Sequence, residues 1–143
     1  MKKLISQGLI TVLALSGLFA TSVQAASYTW VNNPRPPLRF GMKRALLTGS
    51  FTVPDSVVAT GVIQPSDVTS MFFKVLSPAY YFYTSFDGGQ LMVDPVTGMI
   101  TGGSLHSTDP YSTYGHGATF YANRMAEDNP LGGSWSGHWV VTF

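Results

Sequence analysis

The sequence predicts an all-β domain, read as an antiparallel sandwich of roughly seven to eight short strands, with a small closed barrel as the alternative. Three observations lead there. Short runs rich in Val, Thr, Phe and Tyr recur between turns built from Gly, Pro and Asp. No segment of useful length carries apolar residues at i, i+3, i+4 and i+7, so the helical period is missing. The chain also shows no internal repeat of the kind that builds solenoids.

Residues 1–25 read as a secretory signal. Met1-Lys2-Lys3 is a basic head, and residues 9–20 (LITVLALSGLFA) form an apolar run. Val23-Gln24-Ala25 sets compact residues at positions −3 and −1 of a cleavage site after Ala25. The run is shorter than the about 20 apolar residues needed to span a bilayer. The expected location is therefore the periplasm or the extracellular space, and the Met-Lys-Lys head follows bacterial habit. No second apolar run reaches spanning length, so no membrane span is expected once the signal is removed.

Composition narrows the function classes. Losing Lys2 and Lys3 with the signal leaves six basic residues against seven acidic ones, a net charge of −1. Nucleic-acid binding, which calls for a strong basic excess, is disfavoured. Cysteine is absent, which removes disulfides, thiolate nucleophiles and Cys-based metal sites. Only 10% of residues are charged, so Ser, Thr, Gly, Asn and Tyr must cover much of the surface. Such a surface suits contact with sugars.

Residues 26–44 read as a Pro-rich lead-in arm. Tyr28-Thr29-Trp30-Val31 has β character, but Pro34, Pro36 and Pro37 remove ladder donors soon after. Residues 45–143 form the single β-domain. Its first strand is 45–53 (ALLTGSFTV), where Thr48 and Ser50 alternate with Gly49, Phe51 and Val53. Pro54-Asp55 ends it. A weak strand at 57–63 and a turn at Gln64-Pro65-Ser66-Asp67 lead into a strand at 68–75.

After Ser77-Pro78, residues 80–86 (YYFYTSF) are dense in β-favouring rings. Asp87-Gly88-Gly89 reads as a hairpin turn returning through Leu91-Met92-Val93. Asp94-Pro95-Val96-Thr97-Gly98 is a second turn, with Gly at the left-handed position. Gly102-Gly103 marks a bulge or bend before Ser104-Leu105-His106. Residues 107–117 and 127–133 read as loops on either side of a strand at 118–123. The last strand, 134–143, puts Trp135, Gly137, Trp139 and Val141 on one side.

Part of this grammar is shared. Thr48-Gly49-Ser50-Phe51-Thr52-Val53, Phe86-Asp87-Gly88-Gly89 and Val93-Asp94-Pro95-Val96-Thr97-Gly98-Met99-Ile100-Thr101-Gly102 pair a G-x-F-x-V strand with a D-x-x-T-G-x-I-x-G hairpin. The stretch 47–105 thereby resembles the small exported bacterial β-proteins that often carry a PEP-CTERM sorting tag. The resemblance implies a β fold and export, and no chemistry. The Pro-Glu-Pro tag itself is absent from this sequence.

Candidate sites are few. His106, Asp109 and His116, with His138, are the candidate metal or acid–base residues, although their spacing matches no ligand signature. Ser104 or Ser107 beside His106, oriented by Asp109, is the nucleophile arrangement to consider. Asp87 and Asp94 could serve a glycosidase or hold Ca²⁺, but a turn aspartate bonding its own backbone accounts for each. No cofactor is called for. The consecutive rings Tyr80, Tyr81, Phe82 and Tyr83 must line both faces of one strand. One pair, Tyr81 and Tyr83 or Tyr80 and Phe82, would then be exposed, joined by Tyr111 and Tyr114 from the loop or by Tyr121. Tyr81, Tyr83, Tyr111 and Tyr114 are the expected ligand-binding residues.

The reading is an exported, non-catalytic binding or structural domain that contacts a polysaccharide or protein partner through exposed rings. A lipocalin-like carrier of a small apolar ligand and a small hydrolase with a loop histidine are the alternatives.

Overall fold

The computed structural model describes residues 23–35, 46–76, 80–108, 116–128 and 133–143. Most of the expected signal, residues 36–44 of the Pro-rich arm and the loop residues Asp109, Tyr111 and Tyr114 lie outside the described residues.

Among the described residues the fold is all-β and antiparallel. Ten strands form one sheet: β1 (Ala25–Asn32), β2 (Leu46–Pro54), β3 (Val62–Ile63), β4 (Ser70–Leu76), β5 (Tyr80–Tyr83), β6 (Gly88–Val93), β7 (Ile100–Thr108), β8 (Gly117–Tyr121), β9 (Arg124–Glu127) and β10 (Ser134–Thr142). Their spatial order is β3-β6-β7-β8-β9-β10-β1-β2-β4-β5. A short helix, α1 (Asp55–Val58), links β2 to β3.

The sheet curls on itself as a half-barrel. Strand β10 is the hinge: Ser134 to Ser136 pair with β9, and Gly137 to Thr142 pair with β1. Gly137 sits where the partner changes. A Cβ there would stand 2.4 Å from the Trp30 ring, so glycine lets the ring lie against the bend. The curl brings the two halves face to face. Phe73 of β4 meets Phe120 of β8 with ring centroids 4.8 Å apart, and Phe51 of β2 meets Phe86 at 5.5 Å. Trp139 touches Phe51, Phe73 and Phe120, tying both halves. Each favourable ring pair adds about 0.5–1.5 kcal/mol beyond the area it buries.

This arrangement revises the expected architecture. One continuous ten-stranded sheet is seen, with its concave face as core, in place of two stacked sheets sharing seven to eight strands. The sequence pattern of a curled sheet and of a sandwich is the same, because in both every strand turns one face inward.

Three local expectations are also revised. The start of the lead-in arm is strand β1, held between β10 and β2, with Ala26, Tyr28 and Trp30 buried on its inner face. Proline stops this strand, but the alternation before it is intact. The weak strand at 57–63 is instead α1 followed by the two-residue β3. The expected hairpin at Asp87-Gly88-Gly89 does not pair its flanking strands. Strand β5 pairs with β4 and β6 pairs with β7, so the chain crosses from one half of the sheet to the other at 84–87.

The turn at Asp94 forms as expected. Val96 and Thr97 donate their N–H groups to Asp94 Oδ1 at 2.9 and 2.7 Å, and Gly98 takes φ +72°. The Thr97 bond, then that of Val96, holds the Asp94 carboxyl below its ordinary range.

Candidate functional site

Two constellations stand out, one on each half of the sheet. The first lies on the convex face of β4 and β5. Inward positions on β4 are Phe73 and Val75, so Ser70, Phe72 and Lys74 point outward. Phe72 is 51% exposed. Its ring lies tilted beside that of Phe82, 5.9 Å between centroids, and Lys74 Nζ stands 5.9 Å from the Phe82 ring. The register carries this patch across the sheet. Ser50 is opposite Phe72, Thr29 is opposite Ser50, and the exposed Val140 is opposite Thr29. Rings and hydroxyls thus share the outward face.

The sequence pointed to this strand through its rings Tyr81 and Tyr83. Tyr83 is fully buried, its ring edge-on to Phe120 at 5.9 Å, and so is not a surface contact. Tyr81 stands opposite Val75 in the ladder, and its side chain lies outside the described residues. Tyr121 is half-buried with the Arg124 guanidinium 4.4 Å over its ring. Phe72 was overlooked, although the pair Phe72-Phe73 carried the signal. Adjacent residues of a strand face opposite ways, so one of two consecutive phenylalanines must point out.

The second constellation centres on His106 of β7. Its Nδ1 is 2.6 Å from Asp87 Oδ1, and its Nε2 is 2.6 Å from Asp128 Oδ2. The backbone N–H and Oγ1 of Thr108 donate to Asp87 Oδ2 at 2.9 and 2.5 Å. Thr119 Oγ1 donates to Asp128 Oδ1 at 3.3 Å. Backbone bonds seat both aspartates: Asp87 N–H to the His106 carbonyl and Asp128 N–H to the Gly117 carbonyl, each 2.9 Å. Gly117 leaves the necessary room, since a Cβ there would stand 2.7 Å from both Asp128 Oδ2 and His106 Nε2.

An imidazole can donate from both nitrogens only as the cation. Partial burial opposes that charge, but the hydrogen bonds to Asp87 and Asp128 outweigh it and raise the His106 pKa above its ordinary value. For Asp87 too, burial opposes the charged form. The hydrogen bonds from Thr108 and His106 prevail, and its pKa is lowered.

The sequence singled out His106 but not its partners. Asp109, the expected orienting residue, lies outside the described residues. Asp87, expected only as a turn former, is one of the partners, and Asp128 carried no signal, being 22 positions away from His106. With both nitrogens committed to carboxylates, His106 is not poised to take a proton from a serine. Ser107 is buried and donates to the Ser85 carbonyl at 2.6 Å. His116 is half-buried beside Gly117, and His138 lies near Asn33 on the other half, Nδ1 to Oδ1 3.4 Å. Among the described residues no group of three or more His, Asp or Glu side chains is arranged to hold a metal ion. The chemistry of the His106 cluster is that of a clamp joining β6, β7 and the end of β9.

No protein-family model, curated protein or solved structure matches this chain.

Proposed function

We propose that the protein is an exported, non-catalytic β-domain that binds polysaccharide on the convex face of β4 and β5. The observation that carries this reading is the pair Phe72 and Phe82, outward-facing and set among Ser50, Thr29 and Lys74. Rings in such a setting stack on the C–H face of a sugar, while hydroxyls and an ammonium bond its oxygens. The strands hold the rings in place, so little side-chain entropy is lost on binding. The signal-like segment 1–25 and the resemblance to small exported β-proteins support placement in the periplasm or outside the cell.

The carrier alternative draws no support from the interior, where Tyr28, Phe51, Phe73, Phe86, Phe120 and Trp139 pack ring against ring. The hydrolase alternative draws none from His106, whose nitrogens both meet carboxylates.

A glycan array probed with the protein, followed by calorimetry on the best glycan, tests the reading. Binding to a polysaccharide that weakens at least tenfold in Phe72→Ala and in Phe82→Ala is the expected result. An array with no binding removes the polysaccharide, and binding unchanged in both variants removes this face.

A further inference from the structure

One buried carboxylate oxygen lies close in the ladder to the start of β1. Oδ1 of Asp55 is buried and has no hydrogen-bond partner among the described residues. Burying such an oxygen unpaired is costly, and native folds normally supply it with a partner. Asp55 opens α1 directly after β2, and its N–H donates to the Gln24 carbonyl at 3.0 Å. In the same ladder Ala25 stands opposite Pro54 and Ala26 opposite Val53. The Ala26 nitrogen is therefore within about two residue steps of Asp55, each roughly 3.4 Å along the strand. The charge of Asp55 is felt at the Tyr28 hydroxyl, on the inner face of β1 that Ala26 shares.

The order of the chain adds an independent coincidence. Val23 and Ala25 stand at −3 and −1 of the cleavage site read from the sequence. Strand β1 begins at Ala25, which is exposed, and burial begins at Ala26. The cut and the start of the core thus fall within one residue of each other.

We propose that proteolysis completes this fold: hydrolysis of the Ala25–Ala26 bond creates an α-ammonium at Ala26 that pairs with the Asp55 carboxylate. Water adds across the amide under the action of a leader-removing protease of the export route. Ala25 departs as a carboxylate with the leader, and the Ala26 nitrogen takes the proton. The new cation stands at the end of the β1–β2 ladder, at Ala26 opposite Val53, and the Asp55 N–H gives up the Gln24 carbonyl as the leader departs. The bond lies at the edge of a paired strand, so it is cut while the chain is still extended. This inference rests on the export reading and is independent of the polysaccharide.

The test uses the full chain, expressed in a bacterial host that exports it, and the processed protein recovered from outside the cytoplasm. Intact mass gives its first residue, and an NMR titration gives the pKa of its α-amine. Expected are a start at Ala26 and an α-amine above the ordinary value of about 7.7–8.0, returning to that range in Asp55→Asn. A different first residue overturns the cleavage position. An α-amine of ordinary pKa, or one unmoved by Asp55→Asn, overturns the pair. Should Asp55→Asn fail to fold, selective acetylation of the α-amine in the processed wild type decides: a fall of several degrees in the thermal midpoint supports the pair, and an unchanged midpoint removes it.

Discussion

His106 Nε2 and Asp128 Oδ2 stand 2.6 Å apart, so a residue of β7 is tied across β8 to the end of β9. On its other side the same ring is tied to Asp87, just ahead of β6. One imidazolium therefore fastens β6, β7 and β9, across the intervening β8. The cluster is more than a third exposed, so solvent screening holds each ion pair to under about 1 kcal/mol.

The clamp makes stability depend on pH. The folded pKa of His106 is raised, so its contribution is full below the unfolded value of 6.5 and is lost as pH rises through the folded value. The folded pKa of Asp87 is lowered, so its contribution is full above 3.8 and is lost as pH falls through the folded value. The thermal midpoint is expected to be highest between those two limits and to decline toward alkaline pH. His106→Gln should flatten the alkaline decline. Calorimetry across this range checks it, and an equal decline in the variant would exclude His106 as the source.

Gly117→Ala should act through the same clamp. The added methyl meets Asp128 Oδ2 and His106 Nε2, both at 2.7 Å. Side-chain ends normally move aside at little cost, but these two are bonded to each other and can move only by parting. A destabilisation of about 1–3 kcal/mol is expected, the usual range for overpacking. The His106 pKa, followed by NMR, should fall toward its ordinary value at the same time. A variant that loses stability with an unmoved His106 titration would place the strain elsewhere.

Phe72 and Phe73 are adjacent, yet opposite outcomes are expected of them. Phe73 is fully buried against Phe120, Phe86 and Trp139, and Phe73→Ala should cost about 3–5 kcal/mol. Phe72 is half exposed, and Phe72→Ala should stay within about 0.5 kcal/mol of wild type. Urea unfolding of the two variants measures the difference directly. Similar losses in both would mean that the assignment of faces on β4 is wrong.

Gly137→Ala should unsettle the hinge of the sheet. A Cβ there meets the Trp30 ring at 2.4 Å and the Val31 carbonyl at 2.5 Å, and neither is the free end of a flexible side chain. Trp30 is also packed edge-on against Trp139 at 5.1 Å, so it cannot swing away without loosening both halves. A loss of about 1–3 kcal/mol is expected, with altered tryptophan fluorescence in the folded state. Unchanged stability and emission would show that the bend does not need glycine.

What the sequence made legible follows from what is local. Alternation at Phe51 and Val53, and the Asx turn at Asp94, are written in neighbouring residues and were read correctly. The curl is not local. It depends on β10 changing partners at Gly137, and a single glycine in a strand does not announce which rings lie against it. The crossing at 84–87 was misread because Asp-Gly-Gly favours a hairpin whichever strands lie beside it. The Asp87–His106–Asp128 clamp was half visible. His106 drew notice as a rare residue, whereas its partners are 19 and 22 positions away and are set by strand register. The rings of β5 were visible as rings, but which face each one took depended on the register with β4.

Tyr28 offers the clearest probe of the core. Its ring stacks on Phe51 with centroids 4.8 Å apart and planes 4° from parallel, and its hydroxyl donates to the Gly98 carbonyl at 2.9 Å. That bond ties β1 to the Asp94–Gly98 turn, 70 positions away. Burial, and then the charge of Asp55, push the phenol pKa up to about 12. In an alkaline titration followed by absorbance, Tyr28 should therefore resist ionisation after the exposed tyrosines have titrated, and should ionise only as the fold opens. Tyr28→Phe keeps the stack and removes the hydroxyl, leaving the buried carbonyl of Gly98 without this donor. A loss of about 1–3 kcal/mol is expected. The late-titrating tyrosine should vanish from the titration of the variant, and its persistence would assign that behaviour to another ring.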